Sequence, residues 1–229
     1  MAKKIIVDHR YASVAADFFQ EKYTILPSCH VEALPEPVCA HPDMALVQVG
    51  DTFIAEKTVY GYYKTHLSSV SVLCGETALS GNYPLDIAYN VLISGKDVFA
   101  NESYMDGVLR SILLEKNYRI YSVKQGYAKC SSAVAENCVI TADSTIALSA
   151  EARGLHVLRI SQGDVRLNGY PYGFIGGASG YIDGILYFFG DITKHSDYQD
   201  IKSFLREHQI PYSYIPDFPL TDVGTLIGI

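Results

Sequence analysis

The fold is decided by AYNVLISGKDVFANES, residues 88–103. A polar residue, Asn90, precedes the apolar run Val91-Leu92-Ile93. Gly95-Lys96-Asp97 makes a hairpin signal, and a second apolar run follows through Val98, Phe99 and Ala100. The same order recurs in PDMALVQVGDTFIAEKT (42–58), AENCVITADSTIALSA (135–150) and YIDGILYFFGDITKHS (181–196). Their turns read as Gly50-Asp51, Ala142-Asp143-Ser144 and Gly190-Asp191. The motif ends at Ala55, Ala100, Ala147 and Thr193, at intervals of 45, 47 and 46 residues. A spacing this regular marks an internal repeat of roughly 46 residues.

A helix and a further strand follow each hairpin. SYMDGVLRSILLEKN (103–117) sets Met105, Val108, Leu109, Ile112 and Leu113 at helical spacing, and RIYSV follows as a strand. YQDIKSFLREHQ (198–209) places Ile201, Phe204 and Leu205 on one face, ahead of PYSYIP. TIALSAEARG (145–154) ends on Gly154, a helix C-cap signal, before LHVLRI. VYGYYKTHLSS (59–69) is the weakest helical segment and precedes VSVLCG. The N-terminus supplies strand KKIIVD, helix SVAADFFQEKY and strand TILP, with no opening hairpin strand. The C-terminus supplies an orphan strand, TLIGI (225–229). That strand completes the first unit and closes the ring, which removes exposed sheet edges. The expectation is one α/β domain of five ββαβ units with pseudo-fivefold symmetry. Its units fall at about 1–40 plus 222–229, 41–86, 87–133, 134–180 and 181–221. The rival is an open doubly wound sheet, which needs neither a steady period nor a leftover strand.

Composition narrows the function. The chain is 48% hydrophobic and 19% charged, which is globular rather than disordered. A net charge of −7 argues against a nucleic-acid or anionic-membrane partner. No apolar stretch is long enough to span a bilayer, and the short apolar run before Asp8 is no signal peptide. Five irregularly spaced cysteines, without a CxxC, fit free thiols in a reducing cytoplasm. No nucleotide-binding glycine motif and no metal-ligand spacing occurs, so no cofactor or metal is expected.

In order and period the repeat resembles the penteins, the guanidino-group-modifying superfamily of dimethylargininases, arginine deiminases and amidinotransferases. PDMALVQV looks like the dimethylargininase segment PDSVFVED, and LDIAYNVLISGKDVFANES (85–103) looks like LDGGDVLFTG…FVGLS. GYAKCSSAVAENCVITADS (126–144) is similar to GLHLKS…CSMAGPNLIAIGS, and LTDVGTLIGI (220–229) to DGLLTC. The resemblance implies a five-unit ring and a chemistry that needs a cysteine nucleophile, a histidine and substrate-gripping carboxylates. Those positions fall on other residues here. The Glu-Asp pair of PDSVFVED falls on Gln48 and Val49, the Asp of GGDV on Asn90, and the histidine on Ala128. The cysteine falls near Ile227 or Gly228, and no cysteine follows Cys138. The resemblance therefore implies a pentein ring whose standard guanidine centre is degenerate.

The residues themselves offer other candidates. Cys130, before Ser131-Ser132, is a candidate displaced nucleophile; a small buried thiol is the alternative. His41 and Asp43 flank Pro42 at a strand mouth and read as base and orienter, or as an extended entry and a turn cap. Asp43, Asn90, Asn137 and Asp183 open the repeat strands, and Asp222 precedes the closing one. In a ring such positions converge on the axis as a polar pocket, with Gln48 and Ser179 as further ligand contacts; the alternative is that each caps its own turn. Asp8 and His9 end the first strand and share that rim. GFIGGASG (173–180) reads as a ligand loop or as a tight crossing near the axis. Three functions follow: binding of a small polar ligand or partner in the axial pocket, an enzyme using Cys130, His41 and Asp43 on a small amide or amidine compound, and a scaffold acting through its surface.

Overall fold

The computed structural model describes residues 3–229. The chain opens with β1 (Lys4–Val7), α1 (Ala12–Phe19) and β2 (Thr24–Pro27). A one-turn helix, α2 (Pro42–Ala45), leads into β3 (Leu46–Val49), β4 (Thr52–Ala55), α3 (Tyr60–His66) and β5 (Ser71–Cys74). Next come β6 (Leu92–Ser94), β7 (Asp97–Ala100), α4 (Gly107–Glu115) and β8 (Arg119–Ser122). Then follow β9 (Ser132–Ala135), β10 (Cys138–Thr141), α5 (Ser144–Glu151) and β11 (His156–Arg159). The last unit is β12 (Ser179–Ile182), β13 (Ile185–Phe188), α6 (Tyr198–Glu207) and β14 (Tyr212–Tyr214), before the short β15 (Ile227–Gly228).

These strands form five three-stranded sheets of one design. In each, the middle strand pairs antiparallel with the inner strand of its hairpin and parallel with the strand after the helix. The first sheet is completed from the far end of the chain: β15 pairs antiparallel with β1, Ile5 opposite Gly228 and Ile6 opposite Ile227. The orphan strand thus supplies the missing inner strand, as the sequence implies. The inner strands β3, β6, β9, β12 and β15 all line one central cavity, so the sheets stand around a common axis.

Burial follows from this layering. The middle strands β4, β7 and β10 are covered on both faces and are buried along their length. The helices pack outside with one apolar stripe inward. In α4 that stripe is Leu109 and Leu113, each fully buried and each stabilising by about 1.5–3 kcal/mol. Asp106 caps α4 by accepting from the Leu109 N–H, and its second oxygen accepts from the N–H groups of Glu76 and Thr77. No helix among the described residues is long and apolar enough to cross a membrane.

The hairpins of the last two units differ from the sequence reading. The β9–β10 turn is Glu136-Asn137, and the β12–β13 turn is Asp183-Gly184 with both residues left-handed, φ 52° and 78°. Asp143 instead caps α5, accepting from Thr145 N–H and Ile146 N–H, and Asp191 caps the 3-10 turn Ile192–Lys194. The middle strands end at Ala55, Ala100, Thr141 and Phe188, so the true spacing is 45, 41 and 47 residues. Aspartate serves tight turns and helix N-caps for the same reason, a short side chain that accepts from nearby backbone N–H groups. That shared chemistry is what shifts the register when it is read from sequence.

Candidate functional site

Three chain segments meet at the axis. Pro42, at the start of α2, fixes a turn that buries Asp43, whose N–H donates to the Gly224 carbonyl. The glycine stretch 173–180 crosses beneath it. A Cβ at Gly177 would lie 1.9 Å from Asp222 Oδ1, so only glycine permits this approach. The closing segment 222–226 then threads between the two, its Val223 and Thr225 N–H groups both donating to the Gly177 carbonyl.

At the centre, the Cys130 thiol donates to Asp43 Oδ2 at 3.1 Å. Asn90 Nδ2 lies 2.9 Å from Cys130 Sγ, and the Asn90 amide oxygen accepts from the N–H of Lys129 at 2.8 Å. The Thr225 hydroxyl lies 2.9 Å from Asp43 Oδ2 and accepts from Lys129 Nζ at 3.0 Å. Asp43 Oδ1 is buried and has no hydrogen-bond partner among the described residues. Thr225 is β-branched yet holds φ at +73°, a left-handed conformation that crowds its Cβ.

Burial sets the charge states. It pushes the Cys130 thiol well up, and the carboxylates of Asp43 and Asp222 push the same way, so the resting group is a protonated thiol. Burial pulls the Lys129 ammonium down, against the opposing fields of Asp43, Cys130 and Asp222. Lys129 is enclosed by protein while keeping some accessible surface, which is the position of a side chain lining a cavity. Burial pushes Asp222 up, the field of His41 opposes that rise, and Asp43 adds to it.

Two cavities flank this cluster. The axial cavity, about 380 Å³, has Asp43, Lys129 and Thr225 on its wall, Ser179 beside them, and around them both apolar and polar residues of the inner strands and their turns, Gln48, Ser94 and Glu136 among the polar ones. A second cavity, about 260 Å³, is bordered by Cys130, His41 and Asp222 together with several aromatic rings. Asp43 and Cys130, hydrogen-bonded to each other, therefore stand between the two.

Several expected site residues meet and others do not. Asp43, Asn90 and Cys130 are hydrogen-bonded to one another at the axis, and Asp222 lies nearby beside His41. Ser179 is buried and lines the axial cavity, its hydroxyl donating to the Gly176 carbonyl at 3.2 Å. Gln48 is exposed and lines the same cavity. The expected His41–Asp43 pair is absent. His41 Nδ1 is 3.6 Å from Asp222 Oδ1 and its Nε2 is 3.9 Å from Asp8 Oδ2, while Asp43 turns to Cys130 and Thr225. Residues two apart on a helical turn point in different directions, which separates the pair. Asn137 and Asp183 are corrections as well. Both are exposed hairpin-turn residues outside the cavities, and Asp183 pairs with Lys3 and Tyr23. His9 is exposed, whereas Asp8 is fully buried beside His41. Lys129 and Thr225 are the members that sequence reasoning missed; Lys129 carried a signal, a lone lysine next to Cys130, and Thr225 carried none.

A family profile matches residues 6–227. The chain belongs to the family described as "Family of unknown function (DUF6873)". No curated protein matches this DUF6873 chain by sequence. Solved structures do match by shape. A DDAH from Pseudomonas aeruginosa, in complex with citrulline, superposes with a TM-score of 0.54 at 12% identity, covering 94% of this chain and 92% of that one. An agmatine deiminase from C. jejuni gives a TM-score of 0.54 at 7% identity, with 94% and 87% coverage. The amidinotransferase SxtG from Microseira wollei gives a TM-score of 0.54 at 11% identity, with 94% and 75% coverage. All three are penteins, and this DUF6873 protein has the pentein fold. At these identities the likeness concerns the fold alone.

Proposed function

We propose that this protein binds a small neutral polar ligand, with an amide or urea group, in the axial cavity. The observation that carries this reading is the base of that cavity, where one acid with a free buried oxygen, Asp43, stands with one amine, Lys129, bridged by Thr225. An amide or urea presents one acceptor and N–H donors together, which matches one amine and one carboxylate. A guanidinium is all donor and cationic. It would meet the Lys129 amine without the carboxylate pair that a guanidine enzyme needs, since Gln48 and Val49 occupy those positions and Asn90 and Ala128 two others.

The test is calorimetric titration with L-citrulline, L-glutamine, L-arginine and agmatine. Saturable binding of citrulline or glutamine, lost in Asp43→Asn and Lys129→Met, is the expected result. Equal or tighter binding of arginine and agmatine, or binding indifferent to both substitutions, overturns it.

A second reading has its own observation. Cys130 borders the second cavity together with His41 and Asp222, and it is already hydrogen-bonded to a carboxylate. In that reading Asp43 takes the thiol proton as Cys130 adds to an amide or amidine carbon and the C=O or C=N π pair moves onto its heteroatom; the C–N bond then breaks, and the departing ammonia or amine takes the proton back from Asp43. The raised thiol is the obstacle, so this ranks below ligand binding. A burst of covalent adduct at Cys130 with a chloroacetamidine probe, abolished in Asp43→Asn, would support it; an inert Cys130 counts against it.

A further inference from the structure

The second cavity has a chemistry unlike the axial one. Its walls are the rings of Tyr127, Tyr170, Tyr172 and Phe174, and among the described residues that border it there is no lysine or arginine. The rings meet at angles: Tyr172 stands edge-on to Phe174 at 6.3 Å and 80°, while Tyr127 is tilted against Phe174 at 6.4 Å and 34°. Tyr170 and Tyr172 are 46% and 36% exposed, which places them at the mouth. The Tyr127 hydroxyl donates to the buried carboxylate of Asp86 at 2.5 Å, which enriches that ring in electron density. At the inner end lies Asp222, 2% exposed.

Asp222 distinguishes one kind of ligand from another. Its Oδ2 accepts from Phe174 N–H at 2.9 Å, and its Oδ1 accepts from Gly224 N–H at 3.0 Å with His41 Nδ1 at 3.6 Å. The carboxylate is occupied by donors of the protein itself. With both oxygens already accepting and the group only 2% exposed, it acts on a ligand through its field more than as a direct acceptor. A ligand rich in N–H groups would leave them unsatisfied against aromatic carbon, which costs free energy. A cation without N–H groups loses nothing there, and the faces of tyrosine and phenylalanine attract it.

We propose that this aromatic cavity binds a small quaternary ammonium group. At about 260 Å³ it suits a compact headgroup rather than a large ligand. This site is distinct from the axial cavity, and the proposal stands whether or not an amide binds there. The second cavity takes charge through ring faces and through the field of Asp222; the axial cavity takes hydrogen bonds.

The experiment is calorimetric titration with choline, its uncharged isostere 3,3-dimethylbutan-1-ol, and guanidinium chloride, each on the wild type, Tyr170→Leu and Tyr172→Leu. Both tyrosines are exposed, so their replacement preserves the fold, checked by an unchanged melting temperature. Expected are saturable choline binding, weaker binding of the alcohol and of guanidinium, and a loss of about two- to fivefold in choline affinity for each substitution. Alcohol binding as tight as choline shows a merely apolar pocket and overturns the proposal. Guanidinium binding more tightly, choline binding unchanged in both variants, or no saturable choline binding at millimolar concentration overturns it equally.

Discussion

Replacing Thr225 separates two opposed terms at the axis. Its hydroxyl accepts from Lys129 Nζ at 3.0 Å and donates toward Asp43 Oδ2 or the Gly176 carbonyl, both at 2.9 Å. Bonds to charged partners are worth about 1.5–3 kcal/mol each. Asp43 Oδ2 retains Cys130 and Lys129 Nζ retains the Gly176 carbonyl when the hydroxyl goes, so the pair is worth less than its sum. Thr225→Ala is thus expected to be about 2–4 kcal/mol less stable than Thr225→Ser, two variants that both lack the methyl group. The backbone acts the other way. At φ +73° any Cβ is crowded, by about 1–2 kcal/mol, and glycine escapes that cost. Against its ordinary flexibility penalty of about 0.5–1 kcal/mol, glycine should still equal or exceed alanine here by roughly 1 kcal/mol. The expected order is Ser above Gly, and Gly above Ala. Urea denaturation followed by circular dichroism measures it. Equal stability of Ser and Ala refutes the hydroxyl's role in the cluster, and Ala above Gly refutes the left-handed backbone.

Two further outcomes probe the charge states at the same place. Cys130 should label slowly with iodoacetamide near neutral pH, far behind the exposed Cys74, because burial and two carboxylates hold it as a thiol; labelling at the Cys74 rate, read by peptide mass spectrometry, contradicts this. Lys129 is pulled down in the folded state, so below its ordinary value the unfolded chain binds the extra proton, and this group's contribution to stability rises with pH through that window. The stability of the wild type relative to Lys129→Met should therefore improve as pH rises toward the ordinary lysine value of about 10.5, and a flat difference in denaturation midpoints refutes the buried amine.

Much of the architecture was legible in the chain. The alternation of hairpin and helix signals and the leftover TLIGI strand gave five units and their closure, because apolar periodicity and turn chemistry are local properties. The register of the last two hairpins was not legible. Asp143 and Asp191 sit where a turn aspartate would, and sequence does not tell a hairpin turn from a helix cap. That slip placed Asn137 and Asp183 at the axis, when both belong to exposed turns. The nearness of Asp43, Asn90 and Cys130 was partly readable, since the repeat aligned their strand mouths. Their actual bonding was not. Nor was the turning of His41 away from Asp43 toward Asp8 and Asp222, which depends on the single turn begun at Pro42.

By itself, then, the sequence determined the ring of five units and its closing strand. Only the tertiary structure decided which side chains meet. Asp43 and Thr225 are 182 residues apart and bond at 2.9 Å; Asp43 and Cys130 are 87 apart and bond at 3.1 Å. Contacts of that range are set by how the glycine crossing and the closing strand pass one another at the axis. The physical reason is that strands and turns form from neighbours in the chain, while a site at a symmetry axis forms from residues that share nothing but their place in the ring.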